Sequence, residues 1–183
     1  MTNIKQNRFL NILRLGGLIF RVSDLAKIWQ IENRSSLLVT LKRYVDQGLI
    51  YRLHRGLYSL KKIEELNPVL LGSKVFNDYC YLSGETVLSR CGVIFQKINY
   101  LTFIGGSSKR INLGPYSYYF RKLKKDYLYN DFGVNKNNEI SEASLERAVA
   151  DILYFNPNYH FDNLEVINWD RVREIQKIVY QKI

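Results

Sequence analysis

Apolar positions recur along the chain in two rhythms, one helical and one strand-like, and their order predicts its architecture. Phe9, Leu10, Ile12 and Leu13 form a first helical run that stops at Gly16-Gly17. Leu18-Ile19-Phe20-Arg21 is short and strand-compatible. Ser23 then stands where an N-cap belongs, ahead of Asp24-Leu25-Ala26-Lys27-Ile28-Trp29. After the turn Gln30-Ile31-Glu32, Asn33 is a second N-cap, and the helical pattern runs to Gln47 with Gly48 as its stop. Setting residues 34–47 at helical intervals places Leu37, Leu38, Leu41, Tyr44 and Val45 on one side. Ser35, Ser36, Val39, Lys42, Arg43 and Asp46 fall on the other. Two strand-like runs follow, Leu49–Leu53 and Leu57–Leu60, joined by His54-Arg55-Gly56, which reads as a hairpin. Three helices followed by a basic-tipped hairpin is the order of a winged helix-turn-helix.

Beyond residue 60 the pattern changes. Lys61 to Pro68 is a polar connection and predicts a boundary between a domain of residues 1–62 and one of residues 63–183. Pro68 opens a helix, Tyr79–Leu82 is a strand, and Ser83 is the expected cap of a helix through Arg90. Ile98–Ile104 and Tyr116–Arg121 read as strands, with the turn Gly105-Gly106-Ser107-Ser108 between them. Ser141 is the expected cap of a helix carrying Leu145, Ala148, Val149, Ile152 and Leu153. A last helix after Asp170 shows Val172, Ile175, Ile178 and Val179 on one face. The class expected for the chain is α+β.

Composition narrows the function. With 183 residues, 46% of them hydrophobic, the chain can bury one sizeable core or two small ones. It lacks the run of about 18–20 apolar residues that spans a bilayer, and Met1–Gln6 lacks the apolar stretch of a signal peptide. Its two cysteines, Cys80 and Cys91, are too few for a disulfide framework or a four-cysteine zinc site. These features point to a reduced, cytoplasmic protein. The net charge of +10 points to an anionic partner, and its distribution is more telling. Residues 1–62 hold twelve Lys and Arg against three acids, a net of +9; the other 121 residues hold fifteen basic and fourteen acidic groups. Such asymmetry is the footprint of a nucleic-acid-binding module joined to a different domain. On that reading Ser35, Ser36, Val39, Lys42 and Arg43 face the major groove of double-stranded DNA. Arg52, His54 and Arg55 grip the flanking phosphates. A basic surface merely solvated, or a winged helix used for protein contacts, would share these features.

Residues 63–183 show little chemistry. Gly105-Gly106-Ser107-Ser108-Lys109-Arg110 lacks the Gly-Lys-Ser/Thr ending of a phosphate-binding loop and reads as a basic hairpin turn. His160 stands alone, and Cys91 reads as a small buried residue. Glu142, Glu146 and Asp151 are open to magnesium, but Glu146 and Asp151 read better as polar contacts that orient their helix. No catalytic residue, metal or cofactor is expected. Arg121, Lys122, Lys124 and Lys125 alternate with Tyr127 and Tyr129, a second basic surface suited to single strands or an acidic protein. The competing reading is a solvated hairpin whose cationic stems lie over aromatic rings.

Three segments carry a family resemblance. Gly48-Leu49-Ile50-Tyr51-Arg52-Leu53-His54-Arg55-Gly56-Leu57-Tyr58 resembles the N-terminal domain of the AbiEi-type antitoxins of bacterial abortive-infection toxin–antitoxin systems. Leu82-Ser83-Gly84-Glu85-Thr86-Val87-Leu88-Ser89-Arg90-Cys91-Gly92-Val93 and Ala143-Ser144-Leu145-Glu146-Arg147-Ala148-Val149-Ala150-Asp151 are similar to that family's C-terminal domain. Val87 and Cys91 depart from the family pattern, where alanine and an aromatic or histidine are expected. The resemblance implies a non-enzymatic antitoxin whose winged helix represses its own promoter and whose C-terminal domain neutralises a cognate nucleotidyltransferase toxin. Two other readings stand beside it: a nuclease-like enzyme tethered by a winged helix, and a winged-helix regulator with a sensing domain.

Overall fold

A computed structural model of the chain describes residues 2–14, 16–137 and 139–181, and for residues 2–7 the backbone. Among these it is a mixed α+β fold with eight α-helices, a three-stranded antiparallel sheet and a six-stranded mixed sheet. The chain divides into two units, Met1–Leu66 and Asn67–Ile183. No helix is long and apolar enough to cross a membrane among the described residues.

The first unit runs α1 (Thr2–Arg14), β1 (Ile19–Arg21), α2 (Val22–Trp29), α3 (Arg34–Asp46), β2 (Tyr51–His54) and β3 (Leu57–Ser59), followed by a single 3-10 turn at Ile63–Glu65. β3 lies between β1 and β2, antiparallel to both. Strand β1 passes directly into α2, because Arg21 still pairs with Leu57 of β3. The cap therefore falls on Arg21, whose backbone N–H donates to Asp24 Oδ2 at 3.1 Å, and not on Ser23 as the sequence suggests. Asn33 caps α3 as expected: its side chain accepts the Ser36 N–H at 3.0 Å. Leu37, Leu41 and Tyr44 of α3 join Ile12, Leu25, Trp29 and Tyr58 in one core. Trp29 Nε1 donates to the Arg8 carbonyl at 3.0 Å, and the Trp29 and Tyr44 rings meet edge to face at 5.5 Å. Leu38, expected on the buried side, is 41% exposed. It stands one helical step from Leu37, at the margin of the apolar stripe, and the core does not reach it.

In the second unit the elements are α4 (Pro68–Val75), β4 (Cys80–Leu82), α5 (Glu85–Arg90), β5 (Leu101–Gly105), β6 (Lys109–Leu113), β7 (Tyr116–Lys122), α6 (Lys125–Leu128), β8 (Val134–Asn137), β9 (Ile140–Ala143), α7 (Leu145–Phe155) and α8 (Trp169–Tyr180). The sheet order is β6-β7-β5-β4-β9-β8. The turn at 105–108 is thus no hairpin. β5, buried from Thr102 to Gly105, takes neighbours on both sides, β4 antiparallel and β7 parallel. The more polar β6 is pushed outside β7, to the edge. Gly72 lets α4 lie against this sheet, since a Cβ there would stand 2.6 Å from the Phe103 ring and 2.7 Å from Tyr118.

Two helix starts in this unit differ from expectation because the serine expected as cap is engaged elsewhere. Gly84, at φ +60° and ψ −143°, precedes α5, and Ser83 instead donates to Asp151. Ser141 pairs within β9, so Ser144 caps α7, accepting the Arg147 N–H at 3.2 Å. Asn168 caps α8. Cys91 is exposed, against the expectation of burial, because it follows the last turn of α5, while Cys80 is buried. On α8, Val172, Ile175 and Val179 are buried but Ile178 is 43% exposed.

Candidate nucleic-acid interface

The buried side of α3 decides which residues it shows. With Leu37, Leu41 and Tyr44 held in the core, Ser35, Ser36, Val39, Lys42 and Arg43 are all exposed, Val39 by 51%. Leu38 joins them, and sequence reasoning missed it for the marginal angle given above. Lys42 meets Asp46 at 3.9 Å, but both side chains are largely solvated and the pair is weak. Among the described residues Arg43, Arg52 and Arg55 have no ion-pair partner, so their charge is available.

The β2–β3 hairpin presents Arg52, His54 and Arg55 to solvent, while Tyr51 and Leu53 are half-buried. Pairing shifts between Arg52 and His54, which oppose the adjacent residues Tyr58 and Leu57, so β2 carries an extra residue and a bulge. The hairpin is also fastened at its turn: the Gly56 carbonyl accepts the Val22 N–H at 3.1 Å, at the start of α2. Tyr58 of β3 belongs to the same core as Leu41. Helix face and hairpin are therefore carried on one packed scaffold. Its charge is moderated by Glu64 and Glu65, which the unit includes and which bring it from +9 to +7.

The second basic surface does not assemble from all four cations named for it. Along β7 successive side chains alternate between faces, and Arg121 turns away from Lys122. Its Nη2 pairs with Glu85 Oε1, and its guanidinium lies 5.1 Å over Tyr119 and 5.6 Å over Phe155. Glu85 is buried and also accepts from Thr102 Oγ1 at 3.1 Å. Lys122, Lys124 and Lys125 are exposed. Lys124 lies 5.9 Å over Tyr127, and Tyr129 stacks on Tyr79 at 5.8 Å.

Two of the three acids open to magnesium, Asp151 and Glu142, are engaged as well. Asp151 is fully buried: its Oδ1 accepts from Arg147 Nε at 2.8 Å, from Tyr81 OH at 3.3 Å and from Tyr180 OH, and its Oδ2 accepts from Ser83 at 2.6 Å. Arg147, equally buried, donates onward to Tyr81 OH and to the carbonyls of Tyr127, Asn130 and Phe132. Burial, then Asp151, pushes the Tyr81 and Tyr180 phenols well above their ordinary range. Burial opposes the charge on Arg147, but Asp151 and the two phenols outweigh it and raise its pKa. Glu142 pairs with Arg90 at 3.3 Å. Among the described residues no three or more His, Cys, Asp or Glu side chains stand together as metal ligands. Sequence reasoning passed over Arg147 and its tyrosines. The available signal was the four-residue spacing of Arg147 and Asp151 on an otherwise apolar helix face.

The two segments of this unit that carry the family resemblance are neighbours in space. Ser83 donates to Asp151 at 2.6 Å and α5 packs against α7, while Leu82 and Arg90 also meet Glu142, the residue just before the second segment. No protein-family model matches the chain, and no curated protein matches it significantly in sequence.

Proposed function

We propose that residues 1–66 are a winged helix-turn-helix that binds double-stranded operator DNA, and that the chain is an antitoxin of the AbiEi type. On this reading it represses its own promoter and neutralises a nucleotidyltransferase toxin. The observation that carries the DNA-binding half is the exposed face of α3, where short hydroxyls and one valine surround Lys42 and Arg43 while the opposite side is locked in the core. A helix enters the major groove by such a face, because Ser35 and Ser36 permit close approach and Arg43 reaches a guanine edge. The order α1-β1-α2-α3-β2-β3 and the exposed Arg52, His54 and Arg55 supply a wing beside the phosphates. The antitoxin half is supported by the three resembling segments, two of which are joined by the Ser83–Asp151 hydrogen bond and the packing of α5 on α7.

The test is binding of the full chain to the DNA upstream of its own gene, by fluorescence anisotropy at several salt concentrations. Arg43→Ala is expected to weaken binding by about 1–3 kcal/mol and to relax preference at one base pair. Arg55→Ala is expected to lower affinity on all sequences and flatten the salt slope by about one unit. Equal affinity of Arg43→Ala and parent would remove α3 as the reading element, and an unchanged slope would remove the wing. Co-expression with the product of the adjacent gene tests the other half: loss of toxicity supports it, and undiminished toxicity refutes it.

A further inference from the structure

A pocket of about 300 Å3 opens on the exposed face of β6 and β7, lined by Tyr100, Arg110, Asn112, Ser117, Tyr118 and Tyr119. Strand register builds it. Arg110 lies opposite Tyr119 and Asn112 opposite Ser117, so all four side chains share one face. The Arg110 guanidinium lies 4.8 Å over the Tyr119 ring, and the Tyr100 ring meets Tyr119 edge-on at 6.1 Å. Behind Tyr119 sits the Glu85–Arg121 pair, which neutralises itself. Arg110 has no carboxylate partner among the described residues. Burial, then Glu85, raises the Tyr100 phenol above its ordinary value, and as a neutral phenol it offers a hydrogen-bond donor at the pocket.

We propose that this pocket binds a nucleotide, an aromatic base carrying a phosphate, either free or displayed on a single strand. The stacked Arg110–Tyr119 pair is a flat cationic platform of the kind on which bases stack. Asn112 offers both a donor and an acceptor to a base edge, and Ser117 adds a hydroxyl. Arg110 projects its remaining N–H groups toward an anion. A lone carboxylate would use Arg110 and leave the amide and the platform idle, and a neutral aromatic would leave the cation idle. The volume is at the small end for ligand sites and accommodates one nucleotide. The assignment is independent of the duplex-binding reading, which uses other residues in the other unit.

The test is calorimetric titration of the full chain with each of the four ribonucleoside monophosphates, and with a single-stranded oligothymidylate, up to about 1 mM ligand. Arg110→Ala and Asn112→Ala, both at exposed positions of an edge strand, are the variants, with circular dichroism confirming their fold. Saturable binding that weakens about tenfold or more in Arg110→Ala, and is untouched by Arg43→Ala, supports the proposal. Binding of a monophosphate assigns the pocket to free nucleotides, and binding of the oligomer alone assigns it to a strand. No saturable binding by any probe overturns the proposal, as does binding that both pocket variants leave unchanged.

Discussion

In residues 1–66 the arginines of the proposed interface stand in water: Arg43, Arg52 and Arg55 are exposed, and the core of that unit is apolar and aromatic. In residues 67–183 an arginine is among the largest fully buried side chains, and its partner Asp151 is buried with it. The same residue type thus serves two ends. An exposed guanidinium keeps its hydration and is free to exchange water for a phosphate. A buried one must find every partner inside the protein, and Arg147 does so with one carboxylate, one phenol and three carbonyls. The first unit therefore holds its charge ready for a ligand, and the second spends its central charges on its own architecture.

The sharpest way to break this contrast is to orphan the buried arginine. Asp151→Ala should destabilise the second unit by about 3–5 kcal/mol, the cost of leaving a buried charge unpaired. The chain has two tryptophans, Trp29 in the first unit and Trp169 in the second, so single-tryptophan variants report each unit separately. In the Trp29→Phe background the denaturant midpoint read by Trp169 should collapse. In the Trp169→Phe background the midpoint read by Trp29 should hold. Equal shifts of both would show that the units unfold as one. Replacing the pair together, Arg147→Met with Asp151→Leu, should recover only part of the loss: no charge is then stranded, but the hydroxyls of Ser83, Tyr81 and Tyr180 and the carbonyls of Tyr127, Asn130 and Phe132 lose their partners.

The mirror experiment is Leu41→Ala. Leu41 is fully buried in the apolar core, and its truncation should cost the first unit about 2–5 kcal/mol, read by Trp29 and silent at Trp169. Val39→Ala, two residues away on the outward face, should change stability by less than about 0.5 kcal/mol. High pH acts on both units to different degrees: burial raises the Tyr44 phenol in the first, and several more phenols, raised further, in the second. The phenols of Tyr81, Tyr118 and Tyr180 are raised above the ordinary 10.0 by burial. In the unfolded chain they lose protons near pH 10, while the folded unit retains them. The folded state then binds more protons, and stability must fall as pH rises above 10, having been fully present below it. The Trp169 midpoint should decline between pH 10 and 11.5, and Tyr180→Phe should make that decline shallower. An unchanged slope in Tyr180→Phe would mean that its phenol is not held protonated by the fold.

What the amino-acid pattern revealed follows the same division. The order of elements in the first unit is local: caps at Asn33, stops at Gly48 and periodicity from Leu37 to Tyr44 all lie within a few residues of what they determine. The outward face of α3 was legible for that reason, and Leu38 alone strayed. In the second unit the deciding contacts are distant in sequence. Ser83 reads locally as a cap, but Asp151, 68 residues away, claims its hydroxyl. Arg121 reads locally as one of a run of surface cations, but strand alternation turns it from Lys122 to the other face of β7, where Glu85, distant in sequence, pairs with it. The parallel pairing of β5 with β7 leaves no local trace either, since the Gly105–Ser108 turn would serve a hairpin equally well.

The smallest effect separates stability from recognition within the first unit. Asn33 accepts the Ser36 N–H and so satisfies an otherwise orphaned donor at the start of α3. Asn33→Ala should cost about 1 kcal/mol, a fall of roughly 4–8 °C in the melting temperature read by Trp29. Asn33→Asp keeps the acceptor and adds a negative charge at the positive end of the helix dipole, so it should melt at or above the parent. That same charge stands beside Ser35 and Ser36, where the proposed duplex approaches, and it would repel phosphate. Asn33→Asp should therefore bind operator DNA more weakly than the parent, with no loss of stability to account for it. If Asn33→Asp bound as well as the parent, the N-terminal end of α3 would not be the end that approaches the duplex. The exposed cations of the first unit would then need another geometry of contact.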